Sequence, residues 1–191
     1  MSELKILAIS GSLRSASYNS ALARAAQKFA PGDMTVEIYD GLRDIPLYDQ
    51  DLETDTPPAP VADLRRRITE ADGLFIATPE YNYGIPGPLK NALDWASRPG
   101  LNSSLTRKPI AIAGAAPTNF GTVRAQLSLR QMFLWTESDV VGKPELQIFR
   151  AHERFDETGN LTDESTIELL RGLLEALGKR IRDRRVLDAA T

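Results

Sequence analysis

Residues 4–26 read "LKILAISGSLRSASYNSALARAA", and the change of pattern inside this stretch decides the fold. Residues 4–10 form a continuous apolar run, which is typical of a strand buried on both faces. Residues 19–30 are rich in alanine and predict a helix that Pro31-Gly32 would close. A glycine, three serines and an arginine lie between the run and the helix, and an asparagine begins the helix. We therefore expect a strand, a turn crowded with hydrogen-bond donors, and a helix.

The rest of the chain repeats this alternation of apolar runs and helical patterns. Strands are predicted at residues 34–40, 73–79, 109–115 and near 145–150, and helices at 60–71, 86–97 and 121–135. A last helix carries an apolar stripe of Ile167, Leu170, Leu174, Leu177 and Ile181, with Thr162 as its cap and Lys179, Arg180 and Arg182 suited to its carboxyl end. Buried strands separated by helices predict an α/β fold, a three-layer, doubly wound, five-stranded parallel sheet forming one domain over residues 1–191.

Bulk composition excludes several classes of protein. The chain has 191 residues, 42% of them hydrophobic, and a formal net charge of −3, which argues against a nucleic-acid binder. The absence of cysteine removes thiolate catalysis, thiolate metal sites and disulfides, and fits a reducing cytoplasm. There is no secretory signal, no run of membrane-spanning length and no ligand cluster with metal spacing. We expect a cytoplasmic protein with no metal, no membrane and no nucleic acid.

The first turn has the composition of an anion site. Unpaired N–H groups at a helix start, together with the positive end of its dipole, attract an anion. Ser12 and Ser17 add hydroxyls, Arg14 a guanidinium group, and Asn19 an amide and a helix cap, while Gly11 lets the backbone approach closely. The phosphate motifs G-x-x-x-x-G-K-[ST] and G-x-G-x-x-G are both absent. A terminal monophosphate suits this turn, and the alternative is that the serines and asparagine only cap the helix.

A second candidate turn follows the apolar run that ends near residue 79. The stretch "TPEYNYGIPGPLKNALDWAS", residues 78–97, leaves that strand at the same edge of the sheet as the first turn. Pro79 stiffens the turn and Gly84 leaves room for a ligand near the backbone. Tyr81 and Tyr83 can form apolar walls that also hydrogen-bond. The turn therefore suits the edge of a planar heterocycle.

Two titratable side chains resemble acid–base catalysts, but the sequence supports neither. Glu80 has no carboxylate partner nearby in the sequence, so we expect it to shape its loop or to cap a helix. His152 is the single histidine and is expected at the surface. We therefore predict no catalytic side chain.

The stretches "GSLRSASYN" and "PEYNYGIPGPLKNALDWAS" together resemble the NADPH-dependent FMN reductase family. These flavodoxin-like proteins include quinone, chromate and azo-dye reductases. The segments "DIPLYDQDL" and "VRAQLSLRQ" are also similar to that family, so the resemblance spans most of the chain. It implies non-covalently bound FMN at the switch point between the first and third strands.

The resemblance also implies roles for individual residues. The expected phosphate ligands are Ser12, Arg14, Ser17, Tyr18 and Asn19. The expected contacts of the isoalloxazine ring are Pro79, Glu80, Tyr81, Asn82 and Gly84. The loop after the fourth strand, "GAAPTNFGT" at residues 114–122, would close the other side through the backbone of Ala115 and Ala116. That loop departs from the family, which often has serine and glycine there, and Thr118 and Thr122 stand where small residues are usual.

The implied reaction passes hydride from NADPH or NADH through bound flavin to a quinone, free flavin, an azo dye or chromate. Because the flavin carries the chemistry, the protein supplies placement and electrostatics. One alternative is a flavodoxin-type electron carrier without reductase activity, although the length and the modest charge favour a reductase. Another is a flavin-free, flavodoxin-like regulatory protein.

The segment 121–135 predicts a partner subunit. Its apolar residues lie nearly all round the predicted helix, and such a helix is buried on more than one side. A second copy of the chain would cover the outer side, and the resemblance implies a homodimer or homotetramer. The alternative is a monomer in which the long irregular segment 40–60 folds over this helix.

Overall fold

A computed structural model of the chain describes residues 3–190. The strands are β1 (Leu4–Ser10), β2 (Met34–Tyr39), β3 (Gly73–Ala77), β4 (Pro109–Ala115), β5 (Asp139–Val140) and β6 (Leu146–Ile148). The helices are α1 (Tyr18–Lys28), α2 (Ala59–Glu70), α3 (Gly87–Ala96), α4 (Val123–Trp135) and α5 (Glu164–Ala190). Strands and helices therefore alternate through most of the chain. No helix within residues 3–190 is both long and apolar enough to cross a bilayer.

The sheet has the strand order β2-β1-β3-β4-β5, and every pair is parallel. β6 pairs with the other half of β4, at Ala113–Ala115, so β5 and β6 share one edge position. The order reverses between β1 and β3, where such folds bind ligands beyond the carboxyl ends of the strands. The flavodoxin-like, doubly wound sheet is confirmed, with an edge strand in two pieces.

Side chains from both faces of the sheet enter separate apolar clusters. Phe75 of β3 packs with Leu22 of α1 and with Leu174 of α5. Its neighbour Ile76 enters the other cluster, together with Leu64 of α2 and residues of α3 and α4. Successive side chains of a strand point to opposite faces, so an apolar strand must be covered on both sides. The predicted three layers are confirmed.

The ends of two helices differ from the sequence-based expectation. Ser17, not Asn19, caps α1, because the Ser17 hydroxyl accepts hydrogen bonds from the N–H groups of Asn19 and Ser20. Asp163, not Thr162, occupies the cap position of α5, where its Oδ2 accepts from the N–H of Thr166 at 2.9 Å. In both helices the residue directly before the first helical residue takes the cap.

The basic residues expected to close the last helix lie in its interior instead. Lys179 pairs with Asp183 on the same helix, Arg180 with Asp139 and Arg182 with Asp33. These basic residues therefore do not mark the end of α5, which continues to Ala190. The predicted apolar stripe of this helix is buried and therefore confirmed.

The irregular segment 40–60 packs on α3, not on α4. The carbonyl oxygen of Pro46 accepts from Asn91 Nδ2 at 2.8 Å and from Trp95 Nε1 at 2.9 Å. The ring of Tyr48 meets that of Trp95 edge-on, with centroids 4.9 Å apart. Leu134 on α4 stays 76% exposed. The expectation that the 40–60 segment covers the outer side of α4 is therefore wrong.

Candidate functional site

The loops after β1 and β3 touch each other at the switch point. The N–H of Gly11 donates to the carbonyl oxygen of Ala77 at 2.8 Å. A Cβ atom at Gly11 would lie 2.9 Å from Leu89 Cδ2 and 3.2 Å from Pro79 Cδ. Gly11 is therefore required for this close approach, and it places the two predicted turns side by side.

The turn between β1 and α1 leaves many donors without an acceptor. Ser12 accepts from the N–H of Arg14 and Ser17 accepts from two N–H groups of α1, so both hydroxyl protons remain free to donate. Within the described residues, no acceptor faces the backbone N–H groups of Leu13, Ser15, Ala16, Ser17 and Tyr18. The dipole of α1 adds positive potential at the same place. This set of donors fits the phosphate of a mononucleotide.

Asn19 lies beneath this turn, and its amide is already engaged. Its Nδ2 donates to the carbonyl oxygen of Ala115 and its Oδ1 accepts from the N–H of Ala115, each at 2.9 Å. Asn19 is 3% exposed, and the neighbouring Tyr18 ring packs on Phe155. Asn19 therefore holds the end of β4 against the start of α1, and direct contact with a phosphate stays a prediction.

The turn after β3 is a narrow hairpin. The N–H of Tyr81 donates to Gly84 O at 3.3 Å, and the N–H of Gly84 donates to Tyr81 O at 3.0 Å. The two central residues, Asn82 and Tyr83, have φ angles of 50° and 65°. This is the pattern of a type I′ turn. A tyrosine held at positive φ costs about 1–3 kcal/mol, so other contacts must hold the hairpin in place.

The contacts that hold the hairpin come from Glu80 and Arg124. Glu80 Oε2 accepts from the N–H groups of Arg124 and Ala125, and Glu80 Oε1 pairs with Arg124 Nε at 2.6 Å. The cap position of α4, Thr122, makes no side-chain cap bond, so Glu80 caps this helix from another loop. The expectation that Glu80 caps a helix is confirmed.

Arg124 also lies between two aromatic rings. Its guanidinium carbon is 3.8 Å from the centroid of Tyr83 and 4.6 Å from that of Phe120. Tyr83 is 70% exposed and Phe120 59% exposed. The guanidinium group is stacked against both rings, and this exposed cluster offers aromatic surface to a planar ligand.

The loop after β4 borders the site on the other side. Its first backbone N–H groups already donate hydrogen bonds within the protein. The N–H of Ala115 donates to Asn19, and the N–H of Ala116 donates to Ile148 O at 2.9 Å. A Cβ atom at Gly114 would clash with Thr122 Oγ1 and with the carbonyl oxygen of Thr78. Ala115 and Ala116 can therefore contact a cofactor only by packing or through their carbonyl oxygens, and such contacts stay predictions.

The hairpin forms a rim that also carries backbone N–H groups without an acceptor. Within residues 3–190, the N–H groups of Glu80, Asn82 and Tyr83 have no acceptor. The ring of Tyr81 is 49% exposed beside them. A rigid backbone edge with free N–H groups, next to a set of phosphate donors, fits a flavin mononucleotide. Pro79 is buried against Gly11, so it sets the position of this rim.

Two members of the site were not identified from the sequence. Arg124 lies 44 positions from Glu80, and no local pattern indicates that they pair. Phe120 is the one aromatic residue of the loop at residues 114–122, and no sequence motif indicates its role. The segment "VRAQLSLRQ" contains Arg124, so the resemblance drew attention to the right helix without assigning the residue.

Comparison with known proteins agrees with this geometry. The sequence profile of the family described as NADPH-dependent FMN reductase matches residues 4–153. An NAD(P)H-dependent FMN reductase of Pseudomonas aeruginosa is 45% identical over 92% of this chain and 94% of its own. A 2-hydroxy-1,4-benzoquinone reductase of a Burkholderia species is 41% identical over 96% of this chain and 99% of its own.

A solved structure also matches this chain over nearly its full length. FerB, a flavoenzyme NAD(P)H:(acceptor) oxidoreductase of Paracoccus denitrificans, superimposes with a TM-score of 0.84 at 35% identity. The match covers 94% of this chain and 98% of that one. Profile, relatives and fold agree with the paired loops at the switch point, and this chain belongs to the NADPH-dependent FMN reductase family.

Proposed function

We propose that this chain binds FMN and uses NADPH or NADH to reduce quinones or similar acceptors, such as free flavin, azo dyes or chromate. The observation that carries the proposal is the pairing of two kinds of donor at one switch point. Free N–H groups and hydroxyls of residues 12–18 suit a phosphate, and the rigid rim of residues 79–84 suits a ring. Family membership and the names of the relatives support the same activity.

We assign the phosphate to Ser12, Arg14, Ser17 and Tyr18, with Asn19 positioning β4 beneath them. The contacts of the ring are assigned to residues 79–84, where free N–H groups face the edge of the heterocycle. The exposed Tyr81 and Tyr83 rings would limit access of water to its faces. Bound FMN would supply the two-electron redox chemistry.

The described side chains offer no dedicated proton donor at the rim. The Glu80 carboxylate already accepts from two N–H groups and pairs with Arg124. His152 is exposed in a different loop. An open rim leaves solvent water to protonate a reduced acceptor. The residues of this chain therefore act by binding, orienting and partly desolvating the reactants.

A turnover assay distinguishes a reductase from a flavodoxin-type electron carrier. We expect protein purified after expression with flavin to be yellow and to oxidise NADPH or NADH when a benzoquinone is added. Many turnovers per protein molecule are expected, and the rate should rise linearly with protein concentration. Oxidation that stops at one equivalent per flavin would indicate a carrier, and purified protein that binds no added FMN would contradict the proposal.

We also propose a homo-oligomer, a dimer or a homotetramer, that uses the outer face of α4. Leu127, Leu134 and Trp135 are 58%, 76% and 65% exposed on this helix. Large apolar side chains exposed together on one helix are typical of an interaction site. Light scattering after gel filtration should give a mass of two or four chains, and Leu134→Glu should reduce it. A wild-type mass of one chain would contradict this proposal.

We further propose that the chain works as one domain in the cytoplasm. The described residues share one sheet, and α5 packs in one apolar cluster with strands from the first and second halves of the chain. The absence of cysteine and a dependence on NADPH or NADH both suit a reducing compartment. Fractionation of cells that express the tagged chain would test the location.

A further inference from the structure

Two arginines at the carboxyl edge of the sheet differ from the others. Every other arginine within residues 3–190 has a hydrogen-bond acceptor or an aromatic ring against its guanidinium group. Arg14 and Arg24 have neither in the part of the chain that the structure describes. Arg14 belongs to the phosphate turn, but Arg24 lies further along α1 and has no role in the function proposed above. Two unpaired guanidinium groups on one edge suit an anionic ligand.

Both arginines line a cavity of about 290 Å³ between the loops that follow β1 and β2. Ser20 and Arg24 are four residues apart on α1, so they share a face and both reach the cavity. On the β2 side, Arg43 lines it and donates from Nη2 to the carbonyl oxygen of Leu13 at 2.7 Å. The hydroxyls of Ser10 and Ser12 complete the polar wall.

The charge of this cavity favours a dianion. Asp40 lines it on the β2 side and opposes the three arginines with a single negative charge. Burial, with a smaller contribution from Asp63, raises the pKa of Tyr39 to about 12, so this tyrosine stays neutral. The cavity therefore keeps a net positive lining at neutral pH.

The turn assigned to the FMN phosphate accounts for only part of this cavity. Ser12, Leu13 and Arg14 belong to that turn, whereas Ser20, Arg24 and Arg43 lie outside it. Residues 14–18 of the turn also border a second hollow, which Arg24 lines as well. Arg24 therefore lies beside the FMN turn without belonging to it, and a dinucleotide, unlike FMN, has further phosphate groups to place there.

We propose that the cavity formed by Arg14, Arg24, Arg43 and Ser20 binds the 2′-phosphate of NADPH and gives the enzyme a preference for NADPH over NADH. This inference rests on the proposed function, because it names the electron donor of the same site. Arg24 is the specificity-determining residue of this site, since it lies outside the turn of residues 12–18 that we assign to the FMN phosphate. Asp40 weakens the preference by repulsion.

Arg24→Ala is the direct test, and it removes one exposed charge from a helix that tolerates alanine. We expect the KM for NADPH to rise about 5- to 10-fold, as for the loss of one charge-assisted contact that is partly exposed. The KM for NADH, kcat and bound FMN should stay unchanged. Arg24→Lys should restore part of the preference, and Asp40→Asn should lower the KM for NADPH. Arg66→Ala, which removes an exposed arginine from α2, is the matched control.

A binding experiment separates this inference from the proposed reaction. Calorimetric titration of FMN-loaded protein with 2′,5′-ADP and with ADP measures the phosphate contact without turnover. We expect 2′,5′-ADP to bind more tightly than ADP, and Arg24→Ala to remove the difference. Equal binding of the two nucleotides by the wild type, or equal effects of Arg24→Ala on both coenzymes, would overturn the inference. Protein that binds 2′,5′-ADP through Arg24 but oxidises neither coenzyme would support the site and refute the proposed reaction.

Discussion

The two edges of the sheet carry similar charged residues but use them differently. At the amino edge three acids pair with bases of α5, as Asp33–Arg182, Asp72–Arg185 and Asp139–Arg180. At the carboxyl edge Arg14 and Arg24 have no acceptor among the described residues, and a row of N–H groups is unpaired. The same α/β framework thus separates charges that hold elements together from charges kept available for a ligand.

Side-chain hydrogen bonds also hold the loops of the carboxyl edge in place. Asn19 fixes the end of β4 to α1, and Glu80 fixes the hairpin of residues 81–84 to α4. These contacts use side chains that sequence reasoning assigns to the ligand. A binding site built from free donors therefore depends on neighbouring groups whose hydrogen bonds are fully used inside the protein.

The largest effect is expected from removing free donors. Arg14→Ala combined with Ser17→Ala should weaken FMN binding roughly 100-fold, because two groups that face a charged phosphate are lost. Fluorescence titration of the apoprotein with FMN measures this change. Arg182→Ala at the amino edge is the control, since it breaks an exposed ion pair worth about 0–1 kcal/mol and should leave FMN affinity unchanged. Equal loss of FMN affinity in both variants would remove the distinction between the edges.

A smaller effect is expected from Glu80, whose carboxylate is fully paired. Glu80→Ala should lower the free energy of unfolding by about 2 kcal/mol, because two N–H groups of α4 and Arg124 lose their acceptor. Glu80→Gln keeps one acceptor oxygen and should lose about half as much. Urea unfolding of the apoproteins measures both values. An unchanged midpoint for Glu80→Ala would show that the hairpin does not depend on this cap.

The smallest effect is expected from Asp163, another saturated carboxylate. Hydrogen bonds from the hydroxyls of Thr166 and Ser165 hold the pKa of Asp163 well below its usual range. A depressed pKa stabilises the fold above the unfolded value near 4, and this contribution is lost as the pH falls through the folded pKa. Asp163→Ala should cost about 1 kcal/mol at pH 7, and progressively less in acid. A cost that is the same at pH 7 and pH 2.5 would contradict this assignment.

Much of the fold could be predicted because the parallel strands are buried on both faces. Continuous apolar runs at 4–10 and 109–115 have no amphipathic alternative, so they predict central strands directly. β5 has only two residues and no pattern of its own, since its pairing depends on Pro109 and Ile110 of β4. The carboxyl end of α5 was placed too early because Arg180 and Arg182 were assigned to a helix end, whereas they pair with Asp139 and Asp33, which are distant in the sequence.

The candidate site was predictable only where its residues are neighbours in the chain. The turn at residues 12–18 and the rim at 79–84 are local, and the sequence places both at the same edge of the sheet. The bonds of Asn19 to Ala115 and of Glu80 to Arg124 span 96 and 44 positions. Such pairs depend on how the loops meet in space, so the family resemblance assigns to the ligand two side chains that also hold the fold together.

Comparison of FMN with riboflavin measures most directly whether the free donors after β1 hold a phosphate. Riboflavin has the same ring but lacks the phosphate, so the ratio of the two dissociation constants isolates the contribution of residues 12–18. We predict that the wild-type apoprotein binds FMN at least about 100-fold more tightly than riboflavin. The ratio should shrink sharply in the Arg14→Ala, Ser17→Ala double variant. Equal affinities of the wild type for FMN and riboflavin would contradict a phosphate site in this turn.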